Sequence, residues 1–141
     1  MRSACAVALL TFLAGALSAT GAQAAGVAGP LPTAVETRCP KVAPEVLPGD
    51  ALVGATRAAL SQAHSLYRDL NLHGMRATEA VLAPLNPDRG GYARKCGSTV
   101  HNRSIVVYLE FPAMKPSTSL SEGVVLVSRF RGSYRVWAVL H

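Results

Sequence analysis

A secretory leader followed by a single pair of cysteines constrains this chain more than any other feature. Residues 1–24 combine Arg2, an apolar run over 6–19 and a small residue at Ala24, the pattern that a signal peptidase cleaves. We therefore predict a secreted, extracytoplasmic protein that is cleaved near Ala24. The exported part has about 117 residues, which suffice for one domain. The apolar run is shorter than the ~20 residues of a membrane helix, so we expect no membrane span after cleavage.

The two cysteines of the exported part, Cys39 and Cys96, are separated by 57 positions. In an oxidising compartment two cysteines can pair within the chain in one way only. Neither belongs to a C-x-x-C motif or has a histidine at ligand spacing, so the pattern favours a structural disulfide over a metal or redox site. In the chain-entropy model, closing a loop of this length stabilises a fold by about 4 kcal/mol.

Prolines and a helical period divide the exported part into an arm and a domain. Residues 25–48 are rich in proline, which removes backbone donors and favours extended geometry. We predict an extended arm there, tied to the body only by Cys39. Residues 49–141 form the predicted domain, which begins with an amphipathic helix over 51–70 that Asp50 caps. The apolar stripe of this helix consists of Leu52, Ala59, Leu60, Ala63, Leu66, Tyr67 and Leu70.

After the helix the pattern changes to the alternation of strands. Residues 92–98 are expected to form the near end of the second strand, with a bulge or bend at Gly97. The register of the last hairpin has two alternatives, a three-residue loop over 131–133 and a two-residue loop at Gly132 and Ser133. We prefer the longer loop, because it places the apolar residues of both strands on one face. The predicted strands cover 75–83, 101–111, 123–130 and 134–140.

One helix followed by an antiparallel meander of three or four strands is an α+β fold, with the helix packed on the sheet. This order, with a tryptophan in the last strand at Tyr134-Arg135-Val136-Trp137, resembles the cystatin-like and nuclear-transport-factor-like folds. The blocks Lys95-Cys96-Gly97 and Ser104-Ile105-Val106-Val107-Tyr108 are similar to small uncharacterised secreted proteins of GC-rich Gram-positive bacteria. The Gln-x-Val-x-Gly motif of inhibitory cystatins is missing from this sequence, so the resemblance implies an architecture and no protease inhibition.

The sequence supplies little of what catalysis or metal binding needs. Its histidines form neither an H-E-x-x-H motif nor a close pair, and it has no G-x-S-x-G nucleophile elbow. The acidic residues are scattered, and Glu110 lies within the strand predicted over 101–111. We therefore favour a non-enzymatic protein with no cofactor and no metal. The four histidines are His64, His73, His101 and His141.

The chain is basic, with a formal net charge of +6. An excess of this sign favours an acidic protein or an anionic envelope polymer as partner, and export makes nucleic acid an unexpected one. With the longer hairpin loop, Arg129, Arg135 and Trp137 emerge together on the outer sheet face, beside Val125 and Val127. Arginine mixed with aromatic side chains is typical of binding hot spots. The first hypothesis is thus a secreted domain that binds an envelope or extracellular partner through this face.

Two alternatives stay open. The first is a cone-shaped domain that binds or converts a small molecule in a cavity between helix and sheet, with His101, Tyr108 or Glu110 inside. It requires Tyr108 and Glu110 to point toward the helix. The second is a secreted inhibitor or effector, which would use the same kind of surface as the binding domain.

Overall fold

The fold is α+β, as predicted, and contains a four-stranded antiparallel sheet with helices on both faces. The computed structural model describes residues 38–114 and 121–140, so the predicted leader and residues 25–37 of the arm lie outside the described part. No helix in that part is long and apolar enough to cross a membrane. The elements are α1 (Ala51–Leu66), β1 (Arg76–Leu82), a 3-10 turn (Ala83–Leu85), α2 (Pro87–Arg94), α3 (Ser98–Asn102), β2 (Ser104–Glu110), β3 (Glu122–Phe130) and β4 (Ser133–Leu140).

The sheet is a simple meander in which each strand pairs with the next, in the order β1-β2-β3-β4. Its first face lies against α1, and its second face lies against α2 and α3. The domain therefore has three layers where two were expected. Strands buried on both sides are apolar at consecutive positions, because both faces need apolar side chains. The fully or nearly buried run in β3 is Val124, Val125, Leu126 and Val127.

Helix α1 packs on the sheet through alanines. Its buried residues recur at intervals of three, four or one, which is the spacing of one helix face. Because alanine is small, the helix backbone can approach the sheet closely. The predicted stripe was therefore partly wrong, since Leu52 is 40% exposed and Leu60 is only partly buried. The buried face comprises Ala51, Ala55, Ala58, Ala59 and Ala63.

The second sheet face is covered by the segment that was predicted to extend a strand. Residues 92–98 lie in the end of α2, the connection and the start of α3. Helix α2 begins here because Pro87 occupies its first position. The side chain of Asn86 caps the helix by accepting a hydrogen bond from the Arg89 amide. Gly90 lies against the Ala83 carbonyl oxygen, where an added Cβ would clash. The turn-rich sequence thus begins a helix that covers part of the second sheet face.

The β3-β4 hairpin has a two-residue turn at Arg131 and Gly132, so both loops considered above were wrong. Both residues have positive φ, 50° and 78°, which matches the twist of a tight hairpin turn. Farther from the turn, one extra residue in β4 shifts the register between Leu126 and Val127. Leu126 consequently pairs with Ala138, as the three-residue loop would also have it. The expected register is correct at that end of the hairpin and wrong near the turn.

The arm is extended over its described part and is held at more than one point. The predicted disulfide between Cys39 and Cys96 is confirmed, with a Cα–Cα distance of 5.3 Å. Farther along, the buried Pro44 presents its carbonyl oxygen to Arg103 Nη1 at 2.7 Å. Glu45 then accepts hydrogen bonds from the Gly132 amide and donates its own amide to the Arg129 carbonyl at 2.8 Å. The expectation that Cys39 is the only tether was therefore wrong.

The free edge of β4 is partly covered by a side chain from α1. The Val136 amide donates to Gln62 Oε1 at 3.1 Å, and Gln62 Nε2 donates to the Tyr134 carbonyl at 3.5 Å. A carboxamide has the same donor and acceptor groups as a peptide bond. Gln62 therefore acts at this edge as one residue of a neighbouring strand would, and it also fixes α1 across the hairpin.

Candidate functional site

The three residues predicted to form a binding face do not share a face. In the observed pairing Arg129 lies opposite Tyr134 and Ser128 lies opposite Arg135, and adjacent residues of a strand point to opposite sides. Arg129 is on the α1 side, where its Nε lies 3.5 Å from Glu45 Oε2. Arg135 is exposed on the other side. The expected outer face was thus wrong in its geometry, and a binding role for these residues stays a prediction.

Trp137 is partly buried in the layer between the sheet and the two short helices. Its indole Nε1 donates to Ser128 Oγ at 3.0 Å. That hydroxyl lies 2.9 Å from Ser104 Oγ, which in turn donates to the Val100 carbonyl at 2.7 Å. Because both serines are fully buried, these hydrogen bonds offset the cost of burying polar groups. The hydrogen bonds that start at Trp137 therefore connect α3 with β2, β3 and β4.

The cavity alternative required Tyr108 and Glu110 to point toward α1, and they do not. Ile105, Val107 and Leu109 fill that side in contact with the helix. On the opposite side the Tyr108 hydroxyl accepts a hydrogen bond from Asn86 Nδ2 at 2.8 Å. His101, expected in a strand, lies in α3 and is buried. The three groups are therefore not gathered in a cavity beneath α1.

A small acidic cleft of about 190 Å³ lies at the open end of the second sheet face. Glu110 and Glu122 are directly opposite each other on neighbouring strands. Arg76 Nη2 lies 2.7 Å from Glu110 Oε2 and offsets part of their repulsion. Among the described residues no group of three or more potential ligands is arranged to hold a metal ion. The cleft is lined by Thr78, Glu79, Tyr108, Leu109, Glu110 and Glu122.

Two tyrosines carry buried hydroxyls that have no hydrogen-bond partner among the described residues, Tyr67 and Tyr134. Burial raises the pKa of Tyr67 to about 12, because ionisation would leave a charge in an apolar site. Burial also raises the pKa of Tyr134; the Asp50 carboxylate raises it further and Arg129 lowers it. Both rings pack in the α1 layer, and Tyr67 contacts Phe111 with ring centroids 4.9 Å apart. The Tyr67 hydroxyl lies in the core, whereas Tyr134 is a partly buried side chain at its border.

The outer face of α1 is apolar where an exposed helix is usually polar. Leu52 and Val53 are 40% and 62% exposed, and Leu60 lies two turns farther along the same side. With Thr56 and Arg57 they line a shallow groove of about 440 Å³ that is widely open to solvent. Leu52 and Val53 point outward because the alanines already pack the inner face, whereas Leu60 also packs against the core. We call this surface the α1 groove.

The charged side chain that lines the α1 groove is basic, while Asp50 precedes the helix and Asp69 follows Arg68. No acidic residue occurs within Ala51–Leu66. Arg57 lines the groove, His64 follows it by seven residues on the same face, and Arg68 lies just beyond the last turn. All three side chains are exposed. The outer surface of α1 therefore combines an apolar groove with basic side chains.

Sequence reasoning missed the α1 groove because it assigned Leu52 and Leu60 to the core. A second pattern was present in the same segment, since Ala51, Ala55 and Ala58 extend the helical spacing of Ala59 and Ala63 into a face made of alanine. Two apolar stripes on one helix indicate that one of them has no partner inside the domain. That comparison would have located the groove.

No protein-family model, curated protein sequence or solved structure matches this chain. The resemblance to cystatin-like and nuclear-transport-factor-like folds therefore stays a prediction.

Proposed function

We propose that this protein is an exported, non-enzymatic domain that binds a macromolecular partner through the α1 groove. The observation that carries the proposal is the position of Leu52, Val53 and Leu60, which line one groove on the outer side of the helix. Isolated exposed aliphatic residues are common on protein surfaces, whereas a contiguous group often marks an interaction site. The alanine face fixes the helix, so this surface is preformed.

Export is part of the proposal and has two supports. The first is the leader pattern over residues 1–24. The second is the Cys39–Cys96 disulfide, because such bonds persist mainly in oxidising compartments. The disulfide and the arm contacts at Pro44 and Glu45 then hold the layers together outside the cell.

The energy available in the α1 groove suits a binding hot spot. Covering the exposed fractions of Leu52 and Val53 would contribute about 2 kcal/mol, at 1.5–3 kcal/mol for a whole aliphatic side chain. A contribution of that size is typical of one anchor within a larger interface. The groove has one polar edge at Arg57, which could fix the orientation of the partner. We therefore expect a protein partner, with an acidic surface.

Photo-crosslinking can test the proposal directly. A benzophenone amino acid placed at Val53 should give one discrete crosslinked product in the cells that produce the protein. The matched control is the same group at Leu85, which is 71% exposed but belongs to the layer on the other side of the sheet. Nonspecific contact with exposed apolar residues would give crosslinks at both positions, whereas specific binding in the α1 groove would give a crosslink at Val53 only.

A second variant separates loss of binding from loss of folding. Leu52→Ser removes apolar surface from the groove and should abolish the Val53 crosslink, while circular dichroism and the urea midpoint stay close to wild type. No discrete product at Val53, or an equal product at Leu85, would refute the α1 groove as the binding surface.

A further inference from the structure

We infer that the segment bound in the α1 groove is an acidic amphipathic helix. This inference rests on the proposed function and specifies its partner. Helix-in-groove recognition uses apolar anchors at intervals of three and four residues, which fill a groove on the receptor. The carboxylates beside those anchors would meet the basic side chains of α1.

The spacing of the aliphatic residues suits a helical ligand. Val53 and Leu60 are seven residues apart on one face, a separation of roughly 10 Å along the axis. A ligand helix lying along α1 would present apolar residues at the same interval, two turns apart. Thr56 is a small residue between them and leaves room for one ligand side chain. An apolar stripe of two to three turns would therefore occupy the groove.

The charges determine the polar face of the ligand. Arg57 is the charged residue that lines the groove, and it has no ion-pair partner among the described residues. Arg68, beyond the C-terminal end of α1, gives a second positive position about 16 Å away along the helix direction. The acidic residues nearest to α1 are Asp50, just before the helix, and Asp69, next to Arg68, so a carboxylate on the ligand meets its attraction at Arg57 in the middle of the groove.

The same charges disfavour a second copy of this chain as the occupant. Two α1 grooves facing each other would bring together two Arg57 side chains, one from the lining of each groove. Like charges placed together across an interface reduce affinity. The formal net charge of +6 on each chain adds a general repulsion.

A lipid surface is also a poorer fit than a helix. The apolar residues of the α1 groove are three aliphatic side chains, and Leu60 among them is already partly buried. Even a single myristoyl chain inserted into a bilayer gives only marginal membrane binding. Three partly exposed side chains bury less apolar surface in a bilayer than such a chain does.

Two designed peptides test the inference. Both carry leucine at every third or fourth position, and most other positions are glutamate in the first peptide and lysine in the second. We expect the labelled acidic peptide to bind the mature protein at least about tenfold more tightly than the basic one, measured by fluorescence anisotropy. Its affinity should fall as salt rises.

Charge reversal at matched positions gives the sharper comparison. Arg57→Glu should weaken binding of the acidic peptide about tenfold, because one attraction becomes a repulsion. Arg94→Glu makes the same change at an exposed position on α2, on the other side of the sheet, and should leave binding unchanged. Equal affinity for the two peptides, or equal effects of the two reversals, would overturn the inference.

The remaining outcomes identify the other occupants and separate the two proposals. Sedimentation with phosphatidylglycerol vesicles that depends on Arg57, without peptide binding, would replace the helix by a lipid surface. Dimerisation abolished by Leu52→Ser would replace it by a second copy. A discrete crosslink at Val53 without acidic-peptide binding refutes the acidic helix alone. An absent crosslink refutes the proposed function itself.

Discussion

Removing the hydroxyl of Tyr67 should stabilise the protein, and the gain should grow at alkaline pH. The side chain is 1% exposed, and its hydroxyl has no hydrogen-bond partner within the described residues. A buried, unsatisfied polar group costs about 1–3 kcal/mol. Tyr67→Phe removes that cost but also loses some contact with neighbours such as Gly123. We expect a net gain of about 1 kcal/mol in the free energy of unfolding at neutral pH.

The pH dependence follows from the raised pKa of this side chain. In the unfolded chain Tyr67 ionises with a pKa of 10.0, whereas in the fold its pKa is about 12. Between these values the unfolded state loses its proton first, so the free energy of unfolding falls as pH rises. Below about pH 10 the contribution is complete. At about pH 11 the loss is about 1.4 kcal/mol, so the advantage of Tyr67→Phe should widen to about 2.4 kcal/mol.

Urea unfolding of wild type and Tyr67→Phe near pH 8 and near pH 11 measures both quantities. Tyr92→Phe is the control, because Tyr92 is exposed and its hydroxyl lies outside the core. That variant should change the free energy of unfolding by less than about 0.5 kcal/mol. A Tyr67→Phe variant less stable than wild type near pH 8 would show that the hydroxyl has a stabilising partner. An advantage that does not change with pH would refute the raised pKa.

Further predictions concern the layer on the second sheet face. Gly91→Ala should stabilise α2 by about 0.5–1 kcal/mol in urea unfolding, because nothing lies near the added Cβ. Gly90→Ala, one position earlier, should destabilise by about 1–3 kcal/mol through its clash with a backbone carbonyl, and equal effects would contradict this packing. Ser128→Ala should cost about 1–3 kcal/mol and shift the emission of Trp137, whose indole loses its acceptor; an unchanged spectrum would refute that bond. Cys96→Ser should cost about 4 kcal/mol, and a loss below about 1 kcal/mol would show that the arm contacts suffice without the disulfide.

Local patterns were enough to predict the class of the fold. The strands were identified by alternation and the helix by its period, and the disulfide followed from the small number of cysteines. The second helical layer was missed because proline, asparagine and glycine, which occur at 86–91, are common both in turns and at the start of helices. Whether Gly90 ends a strand or lets a helix approach a carbonyl depends on tertiary contact. The consecutive apolar residues of β3 were the available indication that both faces are buried.

The candidate site was mislocated for two physical reasons. A β-bulge at Trp137 makes a one-residue shift in the middle of β4, and an alternation pattern alone cannot separate this from a longer loop. Arg129 and Arg135 were therefore assigned to one face. In α1, hydrophobic size was taken as the measure of burial, although the close approach of the helix selects alanine over Leu52. A binding surface made of aliphatic residues is hard to distinguish from a hydrophobic core by sequence, because both use the same residue types.

The Gln62 carboxamide at the edge of β4 has a consequence for aggregation. A fibril grows only if each added chain offers two receptive edges, one to join the preceding chain and one to accept the next. Here the Tyr134 carbonyl and the Val136 amide are already engaged by Gln62, so one of the two edges is occupied where an incoming strand would pair. A second chain could add a strand at β1, but a third chain would then find no open edge of β4 to pair with. Gln62 thus makes β4 less able than an open edge strand to pair with a strand of another chain.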